Sequence, residues 1–190
     1  MKIGILALQG SVREHKEALK KCGVEPVEVR LPEDMNNIYG LIIPGGESTT
    51  IGKLMKESGL DKEVIRNYEL GMPIYGTCAG AILLAKYITG EKPHMPLMDI
   101  TIKRNSYGRQ IDSFETCLNI DNFEMPFKGI FIRAPVIDSL HDGAKIMAEF
   151  KNKPVMVQQN NLLITTFHPE LTDDIRIHQY FIGIIKGKNK

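Results

Sequence analysis

The chain has 190 residues, a formal net charge of +1 and a sequence pI near 7.7, values that argue against a nucleic-acid-binding face, which needs clustered basic charge. Its three cysteines lack a Cys-x-x-Cys pair, which predicts a reducing compartment and excludes a disulfide framework or a cysteine-based zinc site. No apolar run approaches the ~20 residues of a membrane span, and a strand begins at Lys2 without a preceding signal peptide, so we expect a soluble cytoplasmic protein.

The first part of the chain alternates strands and helices. Residues 2–8 form a nearly continuous apolar run, which is typical of a parallel strand covered on both faces. Ser11 is predicted to cap the helix that follows, with Glu14 completing a capping box. Further strands are predicted at 27–30 and 41–43. This order implies right-handed crossovers and a parallel sheet.

The second part adds a different pattern. Short apolar runs predict buried strands at 72–75 and 162–166, and a helix buried on most sides at 81–85. Residues 99–103 and 114–120 instead alternate in the manner of half-exposed antiparallel strands. We therefore predict one domain, residues 1–190, with a three-layer α/β/α, flavodoxin-like fold. It would have a mostly parallel central sheet and an antiparallel insert in its second half.

The segment Gly76–Gly80, with Cys78 at its centre, lies between a predicted strand and a predicted helix. A Gly-x-Cys-x-Gly in this position has the form of a nucleophile elbow, whose tight turn strains the central residue. Such a turn also places the sulfur at a helix N-terminus, where positive partial charge favours a thiolate. The alternative is a buried cysteine in a glycine-bounded turn.

A second candidate group, His168-Pro169-Glu170, follows the last predicted strand. His168 is placed to act as general base toward Cys78 and as general acid toward a leaving amine. Glu170 would orient the imidazole, as in a catalytic triad. A surface histidine in a strand-to-helix turn is the alternative. Ligands bind at the carboxyl ends of the strands in open α/β sheets, which favours the catalytic interpretation.

The pair Gly45-Gly46 also follows a predicted strand. Its amides, together with that of Ala79, are candidates for an oxyanion hole, because glycine permits a positive φ and leaves room for substrate. A plain turn is the alternative. No Gly-Lys-Ser/Thr follows at the spacing of a phosphate loop.

Arginines in two loops are candidates for binding a substrate carboxylate or a partner protein. One loop is the polar segment Arg104–Gln110, and the other begins at Arg133. The remaining histidines show no metal-ligand spacing, so we predict neither a metal nor a cofactor and assign them structural or surface positions: His15, His94, His141 and His178.

These motifs together resemble the class I, triad-type glutamine amidotransferases. The resemblance spans essentially the whole chain and is most specific to the glutaminase subunits of pyridoxal 5′-phosphate synthases. It rests on the elbow at 76–80 and on the following segments: Leu8-Gln9-Gly10, Pro44–Thr50, Arg104–Gln110, Phe131–Pro135 and His168-Pro169-Glu170.

The resemblance implies that Cys78 attacks the side-chain amide of L-glutamine to form a thioester, while His168, oriented by Glu170, moves the protons. It also implies an oxyanion hole from Gly46 and Ala79. Ammonia would pass through a tunnel to a separate (β/α)8-barrel synthase subunit, in an assembly of twelve subunits of each kind that activates the glutaminase on docking. The residues implied to hold glutamine are Gly46, Glu47, Ser48, Arg104, Ile132 and Arg133.

Three other functions compete with this one. A glutaminase serving another synthase, such as imidazole glycerol phosphate synthase, would share the same triad, so only the segments at 104–110 and 131–135 argue against it. A non-catalytic binding subunit is disfavoured by the intact triad and glycine pair. A cysteine peptidase would need an open groove for a peptide chain, and nothing in the sequence indicates one.

Overall fold

The computed structural model describes residues 1–104 and 113–187. Five α-helices lie in this part of the chain: α1 (Val12–Lys21), α2 (Ser48–Ser58), α3 (Leu60–Glu69), α4 (Ala79–Leu84) and α5 (Arg176–Ile185). The strands are β1 (Lys2–Leu6), β2 (Glu25–Val29), β3 (Leu41–Ile43), β4 (Ile74–Thr77), β5 (Ala85–Ile88), β6 (Met98–Lys103), β7 (Ser113–Leu118), β8 (Phe127–Ile132), β9 (Val136–Leu140), β10 (Lys145–Phe150), β11 (Lys153–Gln159) and β12 (Leu162–Thr165). Two 3-10 helices cover Pro32–Met35 and Pro169–Leu171.

The central sheet has seven strands in the order β10-β11-β12-β4-β3-β1-β2. The five strands from β12 to β2 are parallel, whereas β10 and β11 are added antiparallel at one edge. Strand β4 is paired with β3 on one side and β12 on the other. The chain segments that follow these three strands therefore leave the sheet side by side, and they carry Gly45, Cys78 and His168.

Helices cover both faces of this sheet, which confirms the predicted α/β/α layers. On one face Leu41, Ile43 and Ile74 pack with apolar residues of α2, α3 and α4. On the other, Ile42 and Tyr75 pack with apolar residues of α1 and α5. Neighbouring positions of β3 and β4 thus belong to opposite cores, because successive side chains of a strand point to opposite faces.

The predicted insert forms two smaller sheets. Strands β5, β6 and β9 make one, in which β5 pairs with β6 in parallel and β9 pairs with β6 antiparallel. Strands β7 and β8 form an antiparallel pair, and Phe114 of β7 stacks on Phe131 of β8 with ring centroids 4.5 Å apart. The insert brings Ile132, the last residue of β8, to the carboxyl edge of the central sheet.

The structure contains two strands that the sequence did not predict, β5 and β9. The helix predicted at 81–85 ends at Leu84, and the chain continues as strand β5, which the sequence reasoning missed. Burial of the whole run 81–85 explains the error, because a short apolar run has no periodicity that separates helix from strand.

No helix within residues 1–104 and 113–187 is both long enough and apolar enough to cross a bilayer.

Candidate active site

Cys78 occupies the turn between β4 and α4 with φ 49° and ψ −102°, which confirms the strained turn predicted for the elbow. Its amide donates to Thr165 O at 2.8 Å, which ties the turn to the neighbouring strand β12. Glycine is required on both sides. A Cβ on Gly76 would lie 2.6 Å from the Gly80 carbonyl carbon, and one on Gly80 would lie 2.1 Å from Ile43 O.

The Cys78 thiol is 7% exposed and unpaired with another cysteine, and its sulfur lies 3.9 Å from the carbonyl oxygen of Ile132. The sulfur lies at the entrance to α4, whose first residue is Ala79. A buried thiol in a strained turn next to a cavity differs from a cysteine that simply fills a core, because the turn holds it where a substrate can reach it.

His168 and Glu170 meet Cys78 from the end of the neighbouring strand. The amide of His168 donates to Ile130 O at 2.8 Å, and its Nδ1 lies 2.8 Å from Glu170 Oε1. With Nδ1 engaged by the carboxylate, Nε2 remains for proton exchange with a thiol or substrate. The structure thus brings together the three residues that the sequence nominated as a triad.

Electrostatics favour an ion pair in this triad. Burial acts to lower the pKa of His168, but its contacts with the Cys78 sulfur and the Glu170 carboxylate outweigh burial and raise that pKa from 6.5 to about 10. For Glu170, burial acts to raise the pKa, yet His15, His168 and Ser11 together lower it from 4.5 to about 2. At neutral pH the imidazolium and the carboxylate are therefore both charged.

Ser11 has a different role from the one predicted. Its side chain makes no capping hydrogen bond to α1. Instead its hydroxyl donates to Glu170 Oε1 at 2.6 Å, so one carboxylate oxygen is shared by Ser11 and His168. The capping-box prediction was wrong because the charge-assisted bond to the buried Glu170 carboxylate holds the Ser11 hydroxyl, and its oxygen accepts no amide of the first helical turn.

Gly45 lies against the triad. A Cβ at this position would lie 2.4 Å from His168 Cε1 and 3.3 Å from Cys78 Cβ. Neither Gly45 nor Gly46 has a positive φ, so the expectation that the pair exploits this freedom is not met. Glycine is needed at Gly45 for close approach, whereas Cys78, at 49°, and Arg133, at 42°, have a positive φ at this site.

We expect Gly45→Ala to lower turnover of the substrate about 100-fold, because displacing the imidazole by a fraction of an ångström to 1 Å removes the reactive geometry. The measurement is kcat with a native circular dichroism spectrum as a check of folding. Gly71→Ala is the matched control. Gly71 has φ 96° and no atom within 4 Å of the place that a Cβ would take, so it should cost on the order of 1 kcal/mol of stability without a change in kcat. Equal turnover for both variants would contradict the prediction.

A cavity of about 500 Å³ opens beside Cys78 and His168. Both proposed oxyanion residues, Gly46 and Ala79, line it. All of the residues that the sequence nominated for glutamine binding also line it: Gly46, Glu47, Ser48, Arg104, Ile132 and Arg133. The structure therefore gathers these nominated residues around one cavity. The rest of the nominated loop, residues 105–110, lies outside the described residues.

Arg104 and Glu47 form the charged rim of this cavity. Arg104 Nη2 donates to Glu47 Oε1 at 2.7 Å, and Arg104 Nη1 donates to Thr49 Oγ1 at 2.8 Å and to Glu91 Oε1 at 3.0 Å. Glu47 also accepts from the Thr50 amide at 2.9 Å, and this bond caps α2 and lowers the pKa of Glu47. Sequence reasoning missed Glu91, which follows Gly90 in a turn that only the fold brings to this rim.

Gln9 lies in the Leu8-Gln9-Gly10 segment that supported the resemblance, but sequence reasoning gave it no role in the site. The structure shows that it supports the glycine loop. Gln9 Oε1 accepts from the Glu47 amide at 3.0 Å, and Gln9 and Ser11 both line the cavity. A signal for them was available: both follow strand β1, and ligands bind where parallel strands end. The histidines outside the triad belong to no group of three metal-ligating side chains in the described ranges.

Comparison with known proteins identifies the family. The sequence profile of the SNO glutamine amidotransferase family matches residues 5–186. The chain belongs to this family. Its curated relatives include the "Pyridoxal 5'-phosphate synthase subunit PdxT" of Moorella thermoacetica, 52% identical over 187 residues, which are 97% of this chain and 100% of that protein. The protein of the same name from Desulforamulus reducens is 49% identical over 188 residues, 98% of this chain and 100% of that one.

Solved structures agree with this membership. A crystal structure described as a glutamine amidotransferase has a TM-score of 0.93 and 48% identity, and the match covers 97% of this chain and 98% of that one. A chain in the structure of PurLQS from Thermotoga maritima, at 20% identity and a TM-score of 0.69 over 99% of this chain and 96% of that one, shares the fold. The predicted class I glutamine amidotransferase fold is thus confirmed.

Proposed function

We propose that this chain is the glutaminase subunit of a pyridoxal 5′-phosphate synthase. It hydrolyses L-glutamine to L-glutamate and ammonia, and the ammonia serves the synthesis of this vitamin B6 cofactor. The observation that carries the proposal is the placement of Cys78 and His168 on one cavity, with Glu170 2.8 Å from His168 Nδ1, in an amidotransferase of the SNO family. Relatives that are about half identical over nearly their full length carry the name of this synthase subunit.

In the proposed reaction the Cys78 thiolate attacks the side-chain carboxamide carbon of glutamine. The negative charge that develops on the oxygen of the tetrahedral intermediate is stabilised by the amides of Gly46 and Ala79. His168 gives a proton to the leaving nitrogen, and ammonia departs from the γ-glutamyl thioester. His168 then takes a proton from water, which attacks the thioester, and glutamate leaves as the thiolate is restored.

The rim of the cavity accounts for recognition of the amino acid end of glutamine. The guanidinium of Arg104 is suited to bind the α-carboxylate of glutamine, and the carboxylate of Glu47 is suited to bind its α-ammonium group. Arg104 and Glu47 already form an ion pair with each other. On binding, each would exchange this partner for a charged group of glutamine. Ser48, Ile132 and Arg133 would hold the remainder of the substrate from the other walls of the cavity.

The partner in this proposal is a (β/α)8-barrel synthase subunit, in a cytoplasmic assembly of twelve synthase and twelve glutaminase subunits, with ammonia passing between active sites through a tunnel. Docking would activate the glutaminase by turning the Gly45–Gly46 peptide. In the structure the Gly45 carbonyl accepts from the Ser11 amide at 3.2 Å, and turning the peptide would break that hydrogen bond. The absence of a side chain on either glycine keeps the cost of the turn small.

Glutamine hydrolysis, measured with and without the barrel subunit, tests the proposal. We expect slow release of glutamate from the isolated chain and a much faster rate in the complex. No hydrolysis in the complex would refute the glutaminase function. A rate for the isolated chain equal to that of the complex would refute activation by docking. Copurification with the barrel subunit of imidazole glycerol phosphate synthase instead would assign the ammonia to another pathway.

A non-catalytic binding subunit is the alternative from another class of function. The glutamine analogue diazo-oxo-norleucine separates the two, because it alkylates a reactive thiol that sits in a glutamine site. A mass increase confined to Cys78 in the presence of the partner supports the enzyme. Absence of an adduct, with the exposed Cys117 equally unmodified, supports the binding subunit.

A further inference from the structure

A row of buried polar groups continues behind the triad, on the side away from the substrate cavity. His15 on α1 and His178 on α5 are both fully buried, and His15 Nδ1 lies 3.0 Å from His178 Nε2. The other ring nitrogen of His15, Nε2, lies 3.2 Å from Thr77 Oγ1 and 3.5 Å from Glu170 Oε2. The proposed glutaminase chemistry assigns no role to this histidine pair.

Burial favours the neutral form of both rings, and a neutral imidazole carries one proton. Burial is the main cause that lowers the pKa of His15, and burial followed by repulsion from His15 lowers the pKa of His178 to about 3. One proton therefore lies between His15 Nδ1 and His178 Nε2. Which ring supplies it decides what His15 presents to the triad.

The surroundings select one tautomer. His178 Nδ1 has no hydrogen-bond partner in the described part of the chain, so a proton there would be a buried, unpaired N–H. A proton on His15 Nδ1 would have a second cost. The lone pair of His15 Nε2 would then face the negatively charged Glu170 carboxylate, and the two would repel each other. His178 therefore donates from Nε2 to His15 Nδ1, and His15 directs its own N–H, on Nε2, toward Thr77 and Glu170.

This N–H joins two parts of the active site. Glu170 Oε1 is occupied by His168 and Ser11, whereas Oε2 makes no hydrogen bond within the described ranges and has His15 Nε2 at 3.5 Å. Thr77 Oγ1 also accepts from the Gly45 amide at 3.0 Å. The same N–H thus bonds to the hydroxyl that anchors the glycine loop, and it lies near the second oxygen of the triad carboxylate, with 3.5 Å between His15 Nε2 and Glu170 Oε2.

We propose that His15, with its tautomer fixed by His178, is a positioning residue. It holds Glu170 in line with His168 and, through Thr77, holds Gly45 against the imidazole. Loss of its Nε2–H would weaken the support that Glu170 gives to the His168 imidazolium. The Cys78–His168 pair would then shift from thiolate and imidazolium toward thiol and imidazole, and the sulfur would react more slowly at a given pH.

The groups that face His15 come from every element packed against it. They are Glu170 and His168 from the segment after β12, His178 from α5, Tyr75 from β4 and Glu14 from α1 itself. Tyr75 stays neutral because burial raises its pKa well above 10.0. Substitutions at His15 therefore act mainly through Glu170, His168 and His178.

Two amide variants form the test. In His15→Gln the side-chain amide reaches the position of Nε2 and restores a donor toward Thr77 and Glu170. In His15→Asn the amide reaches only the position of Nδ1. The two variants share polarity and chemistry and differ in reach, so a general effect of altering a buried histidine would appear in both.

The main readout does not depend on the glutaminase function. It is the rate of Cys78 alkylation by iodoacetamide as a function of pH, followed by peptide mass spectrometry in a Cys117→Ser background, because Cys117 is exposed. We expect the low-pH part of this profile, where the alkylation rate rises with pH, to lie at the same pH in His15→Gln as in the unsubstituted chain. His15→Asn should move it upward by about one pH unit, which corresponds to the loss of one favourable contact to an ionised group.

Glutamine turnover in the complex with the synthase subunit is the second readout, and this one rests on the proposed function. His15→Asn should lower kcat about 10- to 100-fold, as for loss of a hydrogen bond to a charged group, with KM for glutamine unchanged. His178→Asn should lower kcat in the same way, and the double variant should be no worse than His15→Asn, since both act through one N–H.

The outcomes separate the two proposals. Identical alkylation profiles for His15→Gln and His15→Asn would overturn the positioning role, even if both lowered the thermal midpoint. The same conclusion would follow if His15→Asn did not fold and His178→Asn left the profile and kcat unchanged. A shifted profile in a protein that never hydrolyses glutamine would refute the glutaminase function and leave the positioning role intact.

Discussion

Replacing Cys78 by alanine is expected to abolish glutamine-dependent synthesis of pyridoxal 5′-phosphate in the complex and to leave synthesis from added ammonium salts intact. In the proposed reaction the Cys78 thiolate forms the bond to glutamine, so glutamine hydrolysis should fall by on the order of 10⁴-fold or more. The two assays differ only in the source of ammonia, so their ratio isolates the chemistry of the thiol.

The structure supports the assumption that Cys78→Ala folds. The change removes one sulfur from the edge of a cavity, and alanine keeps the backbone donor that bonds to Thr165 O at 2.8 Å. It also leaves the φ of 49° occupied by a non-glycine residue, as before. Cys117→Ala is the matched control, because Cys117 is exposed on β7 and should leave both assays unchanged. Loss of the ammonium-dependent reaction in Cys78→Ala would mean that Cys78 is needed for assembly.

Replacing His168 by asparagine is expected to lower kcat for glutamine hydrolysis by about 10²- to 10⁴-fold, the contribution of a well-placed general acid and base. Asparagine keeps a polar group near Glu170 Oε1, which His168 Nδ1 contacts at 2.8 Å, but it accepts no proton from the thiol. The measurement is kcat in the complex, together with the alkylation rate of Cys78, which should fall because the imidazolium is lost.

His141→Asn is the control for this substitution. His141 is exposed and its Nε2 lies 3.2 Å from Thr101 Oγ1, in the small sheet formed by β5, β6 and β9. It should leave kcat unchanged. If His168→Asn kept the turnover of the unsubstituted chain while remaining folded, His168 would not transfer protons and another base would have to be sought around the cavity.

Local patterns in the sequence were sufficient to nominate the groups to which we assign the chemistry. The elbow around Cys78 is recognisable because a tight strand-to-helix turn needs small residues at fixed positions, and the structure gives the reason in the contacts of Gly76 and Gly80. Gly45-Gly46 and His168-Pro169-Glu170 were found in the same way, since each begins within three residues of the end of an apolar strand.

Those local patterns did not predict which side chains form hydrogen bonds with each other. Ser11 was assigned to the end of α1 because its local sequence fits a cap, but it bonds to Glu170, which belongs to the other end of the chain. His15 and His178 looked structural because neither is near the triad in sequence. Their contacts depend on α1 and α5 packing on the same face of the sheet.

Local sequence patterns therefore predict the alternation of strands and helices in the parallel part of the sheet, the strained turn at Cys78 and the candidate reactive side chains, because these depend on neighbours within a few residues. Tertiary packing places β12 beside β4, which brings His168 to Cys78, and it also carries Ile132 of the insert to the same cavity. Strand order is set by the burial of both faces of the whole sheet, and no local pattern specifies it. The support of Glu170 by Ser11 and His15 follows from that packing.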